Sequence, residues 1–401
     1  MAQDTSAAQR PRIRVGIAGL GALASSTMPA FLAHPGFRLH AAAEVRPDVL
    51  ARFETDYEAE GYALVEELAR SDVDAIYVAT PTQLHLEHVL TAIAHGKHVL
   101  VAKPIAVTLD DADRMIDEAE RRGVQLVEAH PQSLEPPLLA MREIIRSGEL
   151  GSLRMMHTWY YNDWLYRPRL PEELDTAMGG GVTYRQGAHQ FDILRMLGGG
   201  LIRSVRAYTG RWDSERPTEG AHTVFLDFED GSVATAVYNG TDHFHSTELT
   251  YGIGEGGQVV GDRPYAQARR AIRGSAERGG ERALKAMRGY GQDGAMRAPS
   301  TARHLPFYGL TIASCERGDI RQSPDGLTIY GDEERRECTL DPSPSGRDAM
   351  VAEFYDAIVG LHSPIHSGRW GMANLEVCVA ALQSSRERRE IMLTHQVPTP
   401  D

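Results

Sequence analysis

Cysteine is scarce, with three in 401 residues: Cys315, Cys338 and Cys378. They are far apart, odd in number and in no CxxC spacing, which leaves no disulfide framework and fits reduced thiols. Long apolar runs are missing too; none approaches the ~20 residues that cross a bilayer. The first dozen residues, MAQDTSAAQRPR, lack the apolar core of a secretion signal. Residues 1–11 therefore read as a disordered leader, and a cytoplasmic protein is expected. Positive charge is in deficit: 42 Lys and Arg stand against 55 Asp and Glu, a net charge of −13. That balance speaks against nucleic acid or an anionic membrane as partner, while leaving room for a small anion at a locally basic site. There is no GxSxG elbow, no internal repeat and no low-complexity tract. His243 and His245 form an HxH without a third ligand nearby in sequence, so no metal site is expected.

What is present is a chain long enough for two domains at ~150 residues each, with 42% hydrophobic residues to fill their cores. The apolar, β-branched run Ile13 to Ala18 reads as a buried strand, and Arg38 to Ala43, Ala75 to Ala79, His98 to Ala102 and Gln125 to Ala129 read as further strands. Helical patterns lie between them, through Met28 to Ala33, Asp48 to Asp56, Leu64 to Arg70, Gln83 to His95 and Leu109 to Arg122. Strands buried on both faces and alternating with helices predict a doubly wound parallel sheet over 12–148. From Arg154 the strands alternate instead: Arg154 to Tyr161, Val205 to Arg211, Thr223 to Phe228 and Val233 to Tyr238, the last two joined by an Asp230-Gly231 turn. Residues 149–401 are thus expected to form an α+β domain with a large, mostly antiparallel sheet. Within it, 262–297 is rich in Arg, Gly and Ala. The plain reading of that stretch is a solvated amphipathic helix with flexible ends; the functional one is a flap or an oligomer contact.

Gly19-Leu20-Gly21-Ala22-Leu23-Ala24 is a GxGxxA turn between the first strand and the first helix. The first glycine permits the tight turn, the second lets backbone approach a pyrophosphate, and the small third residue lets helix and strand pack closely. A bare glycine turn is weak evidence. Here a strand precedes it, a helix follows, and Glu44 ends the second strand some 20 residues on, placed to accept from the adenosine ribose hydroxyls. A carboxylate there favours NAD over NADP, and Arg46 beside it keeps a 2′-phosphate possible.

Two longer blocks carry a family resemblance. ATPTQLHLEHVLTAIAHGKHVLVAKP, Ala79 to Pro104, resembles the central block of the Gfo/Idh/MocA oxidoreductases through Thr80, Pro81, His85, Gly96, Lys97, His98, Val99, Lys103 and Pro104. GGGVTYRQGAHQFDILRMLGGG resembles the family's substrate helix, with Gly187, His189 and Asp192 in a Gly-x-His-x-x-Asp pattern. The resemblance runs from about residue 12 to 395. It implies NAD(P)-dependent hydride transfer, with Thr80, Pro81, His85 and Lys103 around the cofactor, Lys103 and His189 as catalytic groups, and a homodimer or homotetramer built through the C-terminal sheet. Two positions depart from the family: Ala102 replaces the Glu before the Lys, and Arg185 replaces the Asp four residues before the His. An Arg in that place suits an anionic substrate, because a guanidinium pairs bidentately with a carboxylate. Within the family, LYRPRLPEELDT, RWDSERPTEGA and WGMANLEVCVAALQSSRERREI are similar to the phthalate 4,5-cis-dihydrodiol dehydrogenases and related carboxylated arene-dihydrodiol dehydrogenases.

The expected chemistry is oxidation of a carbinol against the nicotinamide, with Lys103 or His189 taking the hydroxyl proton. Asp192, at i+3 on the same face and counted with the substrate-binding residues, would help orient and tune the imidazole beside the substrate. Arg185, Arg167 and Arg169 are candidates for substrate carboxylates, although solvent is an even alternative for the latter two. Trp164 and Tyr166, with Tyr160, Tyr161 and Tyr184, offer flat aromatic surface that core packing claims equally. The leading expectation is a carboxylated cis-dihydrodiol, a small anion derived from an aromatic ring, converted to a catechol. A sugar, polyol or uronate dehydrogenase on the same fold is the alternative. A non-catalytic dinucleotide-binding regulator stands third, against it the retention of Lys103 and His189.

Overall fold

The run IRVGIA is apolar enough to be covered on both faces, and it forms the central strand of the first sheet. The computed structural model describes residues 11–261, 264–275, 279–291 and 304–400; ten of the eleven leader residues lie outside that range. The first sheet contains β1 (Ile13–Ala18), β2 (Phe37–Ala43), β3 (Glu60–Tyr62), β4 (Ala75–Val78), β5 (His98–Ala102) and β6 (Leu126–Ala129). All its pairings are parallel, in the order β3-β2-β1-β4-β5-β6. Strand order reverses beside β1, so a crevice opens above the C-terminal ends of β1 and β4, where open α/β sheets hold their ligands. Helices α1 (Ala22–Ala33), α2 (Pro47–Tyr57), α3 (Val65–Arg70), α4 (His85–Ala94) and α5 (Leu109–Arg122) fill the crossovers. Helix α5 shows how local sequence sets the bounds. Thr108 Oγ1 accepts the Asp111 N–H at 3.1 Å, and Gly123 ends the helix in the left-handed region at φ +66°.

Among the described residues the second sheet has nine strands, β7 (Leu153–Tyr161), β8 (Ile202–Gly210), β9 (Ala221–Phe228), β10 (Val233–Asn239), β11 (Leu310–Cys315), β12 (Gly318–Ser323), β13 (Gly326–Gly331), β14 (Arg335–Thr339) and β15 (Ile391–Met392). Its order is β14-β13-β12-β11-β7-β10-β9-β8-β15, antiparallel except for the central pair β7–β10. One face packs Met156, Tyr160, Ala236 and Tyr238 against the substrate helix; the other exposes Met155, Trp159, Tyr208 and Phe225.

Further helices are α6 (Pro136–Ser147), α7 (Ala188–Leu197), α8 (Gln267–Arg273), α9 (Gly280–Ala286), α10 (Gly346–Val359) and α11 (Gly368–Glu387). Helix α10 returns to the first sheet: Met350, Val351, Phe354 and Tyr355 share one core with Phe31 and Phe37. Helix α11 packs against α5, α7 and β8. The basic stretch yields two seven-residue helices, α8 and α9, rather than one amphipathic helix; its residues 262–263, 276–278 and 292–297 lie outside the described range. All three cysteines are free, and among the described residues no helix is long and apolar enough to cross a membrane.

Candidate active site

The glycine turn sits at the end of β1. Gly19 has φ +88°, and a Cβ there would press Thr80 Cγ2 at 3.1 Å and the Ala79 carbonyl at 3.3 Å, so the position admits only glycine comfortably. Above Gly21 a Cβ would meet nothing within 4 Å, and helix α1 starts without a side-chain cap. That combination is an open cradle with free first-turn N–H groups, which fits a pyrophosphate. Glu44, 8% exposed, accepts the Leu20 N–H at 2.9 Å and both Arg46 Nε and Nη2 at 3.0 Å. Burial alone would raise its pKa, but Arg46 and the Leu20 N–H together hold it below the usual carboxylate range. Arg46 also donates to the Leu20 carbonyl at 3.2 Å. Its guanidinium is therefore folded back over the acid, where the sequence left it free to meet a 2′-phosphate.

Lys103 follows β5 on the crevice side. Its ammonium donates to the backbone carbonyl of Arg185. Removal of the ammonium from solvent, reinforced by the Arg185 charge and opposed by Glu128, brings its pKa down to about 7. Arg185 belongs to a π-helical turn, Thr183–Gly187, that leads into α7; such widened turns recur at functional sites. Arg185 Nη1 donates to Thr82 Oγ1 at 3.0 Å, while its Nε is buried without a partner. Burial also lowers its pKa, against the opposing charges of Glu173 and Glu172.

His189, 6% exposed, lies one turn beyond Arg185, and burial, Lys103 and His130 drive it well below its ordinary pKa, so it is a neutral imidazole. Its Nδ1 is buried and unpartnered. The ring lies edge-on to Tyr308 at 5.1 Å and to His130 at 5.6 Å.

Asp192 does not orient His189 as the spacing suggested. Its carboxylate turns to the far side of α7, accepting Trp370 Nε1 at 2.7 Å and facing His366 Nε2 at 3.3 Å and His130 Nδ1 at 3.5 Å. It is fully buried in an ionic cluster behind the site and touches no open space. His85 is likewise internal. Its Nδ1 faces the Pro104 and Ile105 carbonyls at 3.1 and 3.2 Å, and its Nε2 the Thr80 carbonyl at 3.0 Å. Burial lowers it to about 4, and it braces the loop after Lys103 against the loop after β4 that carries Thr80 and Pro81. Thr80 Oγ1 meets His88 Nδ1 at 2.9 Å.

The remaining candidates lie in the loop after β7. Trp164 is 1% exposed, and the Arg169 guanidinium stacks on its ring at 3.9 Å while donating to its carbonyl. Burial brings Arg169 down to about 10 against the charge of Glu173. Arg167 donates to Asp163 at 2.7 Å; burial works against its charge, yet Glu255 and Asp163 hold it above its ordinary pKa. Arg169, with its side chain 11% exposed, is built in, whereas Arg167, at 28%, is only partly covered. Tyr166 donates to Asp213 at 2.8 Å, with burial and that carboxylate raising it to about 12. Of the wider aromatic set, Tyr160 and Tyr184 are core residues. His243 meets Thr241 and Arg269, and His245 faces Asp242 at 3.3 Å.

Sequence reasoning missed three contributors. Tyr308 donates to the Gln186 carbonyl at 3.0 Å and covers His189; nothing in its local sequence marks it. Glu128 and His130 sit at the end of β6 and contact each other at 2.8 Å; polar residues at the carboxyl end of a buried parallel strand were a usable signal.

The family models match on this architecture: the oxidoreductase family with NAD-binding Rossmann fold over residues 13–130, and the GFO/IDH/MocA C-terminal domain over 138–262. The chain belongs to the Gfo/Idh/MocA oxidoreductase family. This family member is 35% identical over 377 residues to the 1-carboxy-3-chloro-3,4-dihydroxycyclohexa-1,5-diene dehydrogenase of Comamonas testosteroni, covering 93% of this chain and 95% of that one. It is 28% identical over 262 residues to the dTDP-3,4-didehydro-2,6-dideoxy-alpha-D-glucose 3-reductase of Streptomyces violaceoruber, covering 63% of this chain and 74% of that one. The crystal structure of a protein described as a dehydrogenase from Bordetella bronchiseptica RB50 superposes with a TM-score of 0.89 at 38% identity, covering 95% of this chain and all of that one. The Gfo/Idh/MocA protein described here is an NAD-dependent oxidoreductase.

Proposed function

We propose that this oxidoreductase converts a carboxylated cis-dihydrodiol into the corresponding catechol. One observation carries the reading: the guanidinium of Arg185 stands beside Lys103 with a buried, unpartnered Nε, where the resemblance leads one to expect a carboxylate. An unpaired buried donor is costly unless a ligand completes it, and a substrate carboxylate does so with a charge-assisted pair. The Comamonas relative, named for a carboxylated dihydroxycyclohexadiene, agrees with that chemistry.

The turn Gly19 to Ala24 would hold the pyrophosphate, Glu44 with Arg46 the adenosine ribose, and Thr80, Pro81 and Lys103 the nicotinamide end. Bound NAD supplies a hydride acceptor. Lys103, neutral in half its molecules near pH 7, accepts the carbinol proton at Nζ as the carbon gives up hydride. The resulting hydroxy-ketone tautomerises to the aromatic diol, and aromatisation makes the oxidation favourable. His189, neutral and edge-on to Tyr308, donates to or accepts from the substrate oxygen without competing for the proton. Trp164 and Arg169 form the rigid wall behind the ring. The exposed sheet face around Met155, Trp159, Tyr208 and Phe225 suits a second copy of the chain.

The experiment is NAD reduction with carboxylated cis-dihydrodiols beside sugars and uronates. Turnover confined to the dihydrodiols is the expected result, and turnover confined to sugars or uronates overturns the substrate. The uronates belong in the panel because the Streptomyces relative acts on a sugar nucleotide by name, and Arg185 suits a uronate carboxylate equally well.

A further inference from the structure

The basic stretch singled out in the sequence has no place in the mechanism above, yet its described part touches both halves of the site. At one end, Glu281 of α9 accepts the backbone N–H of Arg169 at 2.8 Å and Arg216 Nη1 at 2.9 Å. Lys285 pairs with Glu173, which also accepts the Leu170 N–H at 2.7 Å and faces Arg169 Nη1 at 3.4 Å. At the other end, Tyr290 donates its backbone N–H to the Leu20 carbonyl of the glycine turn at 3.2 Å. Its ring, 3% exposed, packs against Phe53 and Tyr57 at 6.1 and 5.8 Å, and Arg52 donates to the Gly291 carbonyl at 3.0 Å.

Between these anchors lies Gly289. Its φ is not in the left-handed region, so the backbone itself does not call for glycine. A Cβ built there would lie 3.3 Å from both the Ala286 and the Leu20 carbonyl oxygens and 3.7 Å from Gly21 Cα. A side chain at 289 would therefore grow over Gly21, the residue whose own outer side is open.

We propose that residues 279–291 are a strap that walls the pyrophosphate end of the NAD site and carries its occupancy to the arginine-lined acid site through Lys285 and Glu173. The acid half rests on the function proposed above; the NAD half does not. With NAD in place the strap's Gly289–Tyr290 end is held, which fixes α9 and hence the Glu173 carboxylate beside Arg169. Reciprocity then requires that an acid bound at the arginines tighten NAD.

The test is calorimetric titration of NAD into the full chain, alone and with phthalate as a dicarboxylate that has no carbinol to oxidise. Gly289→Leu should weaken NAD by about tenfold or more, read beside its unliganded melting temperature, because a side chain forced between the Ala286 and Leu20 carbonyls also strains the fold. Gly289→Ala should weaken NAD by a smaller factor and serves if the leucine variant does not fold. Phthalate should tighten NAD by about fivefold or more in the unmodified protein and not in Lys285→Met. Unchanged NAD affinity in both Gly289 variants overturns the wall. Tightening that survives in Lys285→Met overturns the transmission. If phthalate binds the unmodified protein yet leaves NAD affinity unchanged, the transmission falls; if phthalate does not bind while Gly289→Leu still weakens NAD, the wall stands and the acid reading falls.

Discussion

The Lys103 ammonium donates to the backbone carbonyl of Arg185, the residue whose guanidinium lowers the lysine's pKa. Burial lowers the lysine's pKa first and the Arg185 charge adds to it, so one residue supplies both an acceptor that fixes the base and a charge that helps it give up its proton near neutrality. Activity should follow the neutral amine. With Lys103 at about 7, kcat/KM should be flat well above that pH and fall tenfold per unit below it. Lys103→Met should lower kcat by about 10²- to 10⁴-fold and remove that limb from a pH–rate profile. A retained limb would assign the titration elsewhere.

Replacing Arg185 separates its two roles. Arg185→Gln should raise KM for an acid substrate by about 10- to 100-fold, the loss of one or two hydrogen bonds to a charged group. It should also move the acid limb to higher pH, because the neighbouring positive charge is gone. Steady-state kinetics between pH 6 and 9 reads both effects, and an unshifted limb would mean that the guanidinium does not govern the lysine.

Cofactor choice turns on Glu44. Its carboxylate holds Arg46 folded over the Leu20 carbonyl. Glu44→Ala should release that arginine toward solvent, cost ribose contacts and raise the ratio of NADP to NAD efficiency by about tenfold or more. Parallel kcat/KM measurements with the two cofactors decide it.

The ionic cluster behind the site should appear in stability rather than catalysis. Burial disfavours charge on His366, but Glu353 and Asp192 outweigh it and hold the imidazole at about 10, against an ordinary value of about 6.5. A raised pKa means a stabilising contribution that is complete below about 6.5 and is lost as pH climbs toward 10. Unfolding by urea should therefore show a decline across that window. His366→Gln should flatten it, and should cost about 3–5 kcal/mol at pH 6 because Asp192 and Glu353 then lie buried without their cation.

The first sheet was legible because its main strands are mostly apolar runs, buried on both faces and alternating with helical patterns, with Arg38 and His40 in β2 and Glu128 in β6 as interruptions. Its three-residue edge strand Glu60–Tyr62 was not, since EGY has neither length nor an apolar face. In the second sheet the four strands with clean alternation were found, whereas GDIRQS and RRECT, strands β12 and β14, carry too little apolar pattern to stand out. Among site residues, motif spacing brought out Lys103, Arg185 and His189, which the structure brings together. Spacing also misassigned Asp192 as the partner of His189, because i and i+3 share a face only broadly. On α7 that three-residue step was enough to aim the carboxylate at Trp370 and His366 instead. Tyr308 arrives from 119 positions beyond His189, a distance over which local sequence carries no signal.

The parallel pairing of β7 with β10, the single one in the second sheet among the described residues, joins Met155 to Val233 and Tyr161 to Asn239. Hairpins alone cannot build it. The chain between these two strands carries the arginine loop, the π-helical turn and α7, so the middle of the sheet closes only when that whole crossover is laid across it. Such long-range closure is slow. The pairing that closes the centre of the sheet thus also ties down both ends of the segment that carries Arg185 and His189, while Lys103 reaches the site from the first sheet.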